Sequence, residues 1–125
     1  MLTQALHQNN AVLGAAMQGL SARNDVIINN IANNDVPAFT ARRVEFEGAL
    51  QQAINNWRRT GNLDLSNARP SIRHQEGSTV FRMDGNNVDI EREMVNLWSN
   101  STRADVMVNA ILHNSRALNA VLQGR

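Results

Sequence analysis

The sequence predicts an all-α protein: two long terminal helices forming an elongated helical hairpin or coiled coil, with a short helix and an irregular loop carrying a short β-turn segment between them. Three observations predict it. Apolar residues follow a heptad through the C-terminal third, a second heptad occupies the N-terminal segment, and the stretch between them lacks long periodicity and holds both prolines, Pro37 and Pro70. The chain divides accordingly into an N-terminal axial helix (1–34), a turn and short helix (35–57), a flexible middle loop (58–87) and a C-terminal axial helix (88–125).

The C-terminal pattern is the strongest. Ile90, Met94, Leu97, Ser101, Ala104, Val108, Ile111, Ser115, Leu118 and Leu122 recur at spacings of four and three without a break, the repeat of a coiled-coil seam. Trp98, Met107, Leu112 and Val121 flank that seam. A stripe this broad implies more than one packing partner. Asp89 reads as the N-cap, with Glu91 and Glu93 in the first turn where the helix dipole favours anions. A helix over residues 89–123 would be about 50 Å long at a rise of about 1.5 Å per residue.

The N-terminal heptad is Leu6, Asn10, Leu13, Met17, Leu20, Asn24, Ile27 and Ile31. Its asparagines lower stability but fix register and partner number. Gly14 and Gly19 each weaken this helix by about 1 kcal/mol relative to alanine. The helix is expected to stop near Asn33-Asn34, because Pro37 biases Val36 away from helical torsions. Residues from Glu45 to Trp57 predict a short helix through Phe46, Leu50 and Ile54. Arg58 to Gly77 is polar and reads as a flexible loop. Ser78 to Met83 reads as a short strand closed by the Asp84-Gly85 turn.

Two helices of this kind cover only part of the broad C-terminal stripe. The expected subunit-packing residues are Leu13, Met17, Leu20, Ile27 and Ile31 on the first helix, and Met94, Leu97, Val108, Ile111, Leu118 and Leu122 on the last. Burial yields about 25 cal/mol per Å² of apolar area, so assembly with other subunits is the physical expectation.

Composition narrows the function classes. No apolar run approaches the roughly 18 residues a membrane span needs, and the N-terminus lacks the features of a cleaved secretory signal. The absence of cysteine removes disulfides, thiol catalysis and cysteine-ligated metal. The net charge is +1 and all twelve basic residues are arginines, scattered from Arg23 to Arg125. A nucleic-acid partner would call for a gathered basic face with aromatic platforms, so none is expected. His7, His74 and His113 are far apart and lack carboxylates at ligand spacing. Glu91 and Glu93 point to different helix faces and do not form an acid/base pair. No enzyme, cofactor, metal or small-molecule substrate is expected. Asparagine is abundant, at eighteen copies, often in pairs, and serves caps and turns better than helix interiors. Asn30 and Asn33 are expected to bond free carbonyls or turn amides at the helix end. Arg42-Arg43 reads as a solvated turn.

Two motifs carry a family resemblance. Asn30-Ile31-Ala32-Asn33-Asn34-Asp35-Val36-Pro37-Ala38-Phe39 resembles the N-terminal signature of the flagellar basal-body rod and hook proteins, in which an Asn-Ile/Leu-Ala-Asn core precedes a Thr-Pro-Gly-Tyr turn. Asn30, Ala32, Asn33, Pro37 and Phe39 match its pattern or keep its chemistry, with altered torsions expected at Ala38. Gly85-Asn86-Asn87-Val88-Asp89, leading into the last helix, resembles the C-terminal signature through Gly85, Asn86, Val88 and Asp89. The short chain and brief middle segment point to a proximal rod subunit. The resemblance implies a structural protein, exported by the flagellar type III apparatus, that polymerises into the periplasm-spanning drive shaft. The implied partners are other rod subunits, the adaptor protein at the rod base and the export gate. Phe46 and Leu50 match the gate-recognition pattern of a phenylalanine followed four residues later by an apolar residue. Core packing of a short helix is an equal reading of that pair, and the two roles are compatible. Two alternatives from other classes are a cytoplasmic helical adaptor or secretion chaperone, which would form a defined dimer, and a nucleic-acid binder, whose affinity would fall steeply with salt.

Overall fold

Residues 1–75 and 82–124 are described by a computed structural model of the chain. Its elements, in order, are α1 (Leu2–Ala32), β1 (Arg42–Glu45), α2 (Glu47–Thr60), β2 (Ser71–His74) and α3 (Ile90–Leu122). The two terminal helices, of 31 and 33 residues, run antiparallel as a hairpin. A two-stranded sheet and α2 pack near its closed end. The fold class is the expected one, mainly helical with a small β element.

Three side-chain bonds pin the register of the hairpin. Asn30 Nδ2 donates to Glu93 Oε2 (3.3 Å), Asn100 Nδ2 to the Leu20 carbonyl (2.8 Å), and Asn114 Nδ2 to Asn10 Oδ1 (3.2 Å). The inner seam of α3 is therefore Glu93, Leu97, Asn100, Ala104, Met107, Ile111, Asn114 and Leu118. This corrects the seam expected from apolar spacing. Leu97, Ala104, Ile111 and Leu118 belong to both, but Met94, Ser101 and Val108 are exposed, one residue round the helix from the rungs that face α1. Sequence spacing follows the apolar residues, whereas three of the inner rungs are polar. Polar residues in a seam weaken it but specify alignment.

The core lies between α1, β1 and α2, built from Ala16, Leu20, Val26, Val44, Phe46, Leu50, Ala53 and Ala68. Phe46 packs against α1 at Gly19, where an added Cβ would clash with the ring. Gly19 is thus the contact that lets α2 approach, rather than only a weak point in a helix. α2 ends at Gly61, whose φ of 74° is the left-handed conformation of a helix C-cap, with its N–H on the Trp57 carbonyl (2.7 Å).

The middle of the chain departs from expectation. Within the stretch read as a flexible loop, Ser71–His74 forms a strand antiparallel to β1, pairing Val44 with Ile72 and Glu45 with Ser71. All four β2 residues are exposed, so no apolar alternation marks the strand. Arg42-Arg43 lies in β1 rather than in a solvated turn. Arg43 and Arg73 sit opposite each other, and Glu45 pairs with both at 2.9 and 3.1 Å, offsetting their repulsion. Of the strand expected over Ser78 to Met83, residues 78–81 lie outside the described residues, and Arg82 and Met83 occupy a bend and turn.

Candidate functional site

The two signature segments meet at the closed end of the hairpin, where α1 stops and α3 starts. Asn30, fully buried, ends the last turn of α1 by gripping β1: its Nδ2 donates to the Arg42 carbonyl (2.8 Å) and its Oδ1 accepts from the Arg42 N–H (3.0 Å). This is the pairing one residue would make with a neighbouring strand, supplied by a side chain. The Arg42 guanidinium returns to Asn29 Oδ1 (2.6 Å). Asn33 Nδ2 donates to the Asn29 carbonyl (2.7 Å). A helix leaves its last carbonyls without partners, and here amide side chains supply donors.

Asn86, also fully buried, performs the same task from the other segment. Its Nδ2 is shared among the carbonyls of Asn33 (3.0 Å), Asn34 (3.0 Å) and Val36 (2.8 Å), while its Oδ1 accepts from the Val88 N–H (2.8 Å). Asn87 adds two bonds, its Oδ1 accepting from the Ala41 N–H (2.6 Å) and its N–H donating to the Phe39 carbonyl (3.3 Å). The Ala38 N–H donates to the Asp84 carbonyl (2.8 Å). Ala38 itself has φ 58°, the left-handed region that glycine enters without strain. Instead of the altered torsions expected from the sequence, the alanine keeps glycine-like torsions there, and the turn survives at the expense of backbone strain. Ala32 and Pro37 are exposed, Phe39 is half-buried and Val88 is buried. Asp89 caps α3, accepting from the Arg92 N–H (3.1 Å).

Glu93 stands where this asparagine network, a lock between the two signature segments, meets the hairpin seam, 6% exposed. Burial pushes its carboxyl above the ordinary range, aided by the Asp89 charge and opposed by the Asn30 hydrogen bond and Arg92. At the neighbouring junction Arg23 joins three elements. It donates to the Val44 carbonyl (3.0 Å), lies 4.9 Å above the Phe46 ring and pairs with Glu47. Burial alone would raise the Glu47 carboxyl, but the Arg23 hydrogen bond, backbone N–H groups and the Arg23 charge outweigh it and hold it low.

Beside the lock are two depressions. One, of about 270 Å³, is lined by Arg23, Arg42, Arg92, Glu93, Asn100 and Arg103 among others. The other, of about 350 Å³, is an apolar groove between α2 and α3 built on Phe46, Leu50, Ile54 and Met107. Among the described residues, no group of three or more His, Cys, Asp or Glu side chains could hold a metal ion. Nor is any helix among them long and apolar enough to cross a membrane.

No family model matches the chain. The flagellar basal body rod protein FlgB of Borrelia hermsii is 35% identical over 120 residues, an alignment that covers 83% of this chain and 87% of that protein. The chain belongs to the FlgB family. FlgB of Proteus mirabilis strain HI4320 is 33% identical over 123 residues, covering 85% and 89% of the two chains, and FlgB of Bacillus subtilis strain 168 is 31% identical over 115 residues, covering 87% and 88%.

Within this FlgB-family chain the structure brings the two signatures together but separates the residues expected to pack subunits. Leu20 and Ile27 are buried within the chain itself, and Leu13, Met17 and Ile31 are half-buried along α1. Leu97, Ile111 and Leu118 are half-buried on the inner seam, leaving Met94, Val108 and Leu122 exposed. Phe46 and Leu50 are both core residues. Sequence reading missed Asn87, Asn100, Glu93 and Arg23. Asn87 fills the variable position of the second motif. Glu93 reads from the sequence as a first-turn acid favoured by the helix dipole, and only its place on the inner seam reveals its burial.

Proposed function

We propose that this chain is a structural subunit of the proximal flagellar rod, polymerising through helix–helix packing into the drive shaft that transmits torque. It has no catalytic role. On this reading it is made in the cytoplasm, exported by the flagellar type III apparatus and placed in the periplasm-spanning rod, with other rod subunits, the rod-base adaptor and the export gate as partners. Phe46 and Leu50 are the gate-recognition pair, presented before folding buries them.

The observation that supports assembly is the outer face of α3. Its inner seam packs on α1, yet Met94, Trp98, Val108 and Leu112 remain exposed along one side. Monomeric proteins rarely leave this much apolar surface on one helix face in water, and neighbouring subunits are the natural cover. The test is replacement of both Met94 and Val108 by aspartate. Circular dichroism of the purified chain is expected to match wild type, while swimming and recovery of the chain in isolated basal bodies are lost. Normal swimming with normal incorporation would contradict the reading.

A further inference from the structure

The outer face of α3 and the groove beside it are unlike surfaces with complementary charge. Met94, Trp98, Ser101, Asp105, Val108 and Leu112 repeat at spacings of four and three, one residue out of step with the inner seam, and all six are exposed. Trp98 is 73% exposed, and Asp105 is the single acid in this outer seam. The α2–α3 groove is apolar at its base, with Glu47, Gln51 and Arg103 along its exposed edge. The Glu47 charge is matched by Arg23. Among the described residues Arg103 takes part in none of the ion pairs, so within them it has no acidic partner to offset its charge at the groove edge.

We propose that the outer seam of one copy's α3 seats in the α2–α3 groove of a second copy, with Trp98 as the anchor and Asp105 facing Arg103. This rests on the rod reading above and names the contact by which identical copies join. Buried aromatic anchors dominate the energetics of interfaces, and the groove, of about 350 Å³, offers Trp98 an apolar seat. Parallel self-pairing of the outer seam would instead set Asp105 against Asp105 and leave the groove uncovered. A contact between two different surfaces is heterologous, so it propagates from copy to copy instead of ending at a dimer.

The chain has no cysteine, which makes cross-linking unambiguous. Ser101→Cys on the outer seam and Gln51→Cys at the groove, introduced together, are to be oxidised in isolated basal bodies and resolved by non-reducing electrophoresis. A ladder of multimers from the double variant, with no cross-link from either single variant, is expected. Adding Arg103→Glu should reduce ladder yield about tenfold, and adding Asp105→Arg to that variant should restore it. Dimers from Ser101→Cys alone, cross-links only to a different protein, or no ladder from a chain present in the basal bodies would each overturn this contact while leaving the rod reading intact. Absence of the wild-type chain from basal bodies would overturn both.

Discussion

Ala38 occupies a backbone region in which Cβ crowds the following carbonyl oxygen, a strain of about 1–2 kcal/mol that glycine escapes. Glycine surrenders part of that gain as chain entropy. Ala38→Gly is therefore expected to stabilise the fold by about 0.5–1 kcal/mol in urea unfolding, and a neutral or negative result would mean the turn is not strained. Glu93 makes a second prediction. Its carboxyl is raised by burial, so the folded chain binds that proton more tightly than the unfolded chain does. The resulting stability is fully present below the unfolded pKa, about 4.3, and is lost as pH rises through the raised folded value. Glu93→Gln preserves an oxygen acceptor for Asn30 and removes the buried charge. It should raise the melting temperature at pH 7 and flatten the decline between pH 4 and neutrality. An unchanged pH profile would place the carboxylate in water. The sequence singled out Ala38 but not its left-handed torsion, which only the folded turn shows, and the burial of Glu93 depends on α1 lying across it.

At the scale of elements, two glycines in one helix separate propensity from packing. Nothing lies within 4 Å of a Cβ placed on Gly14, whereas one placed on Gly19 meets the Phe46 ring. Gly14→Ala should stabilise α1 by about 0.5–1 kcal/mol. Gly19→Ala should destabilise the protein by about 1–3 kcal/mol, because the overpacked ring must move. Equal effects at the two positions, read from thermal unfolding, would remove the role given to the Gly19–Phe46 contact. The long helices were legible because a heptad persists over their length, and Asp89 announced where α3 begins. The phase of α3 was not. Glu93, Asn100 and Asn114 hold inner rungs, so the apolar pattern shifts to the residues beside them. β2 was invisible for a different reason: with Ile72 exposed it has no buried face to leave a trace. The lock itself was partly legible. Asn30, Asn33 and Asn86 stand in the motifs, but only the fold shows that Asn86 caps the end of α1, 53 residues away from Asn33.

For the whole molecule, one face of each long helix is closed within the chain while the outer seam of α3 stays open. Phe46 and Leu50 sit inside the folded core, so the proposed gate-recognition role requires that they be read while the chain is unfolded. Phe46→Ala is expected to destabilise the fold by about 3–5 kcal/mol, so secretion must be compared with a matched core change. Phe46→Ala should lower secretion several-fold, whereas Leu20→Ala, equally buried but outside the motif, should not. Equal secretion of the two variants would dissociate Phe46 from gate recognition.

The outer seam can be interrogated through cysteines placed at Trp98 and Val108, one at a time, in this cysteine-free chain. Maleimide labelling should be rapid in the purified monomer and slowed at least tenfold in isolated basal bodies. Equal labelling in both would mean that no neighbour covers α3, and assembly through this face would be contradicted.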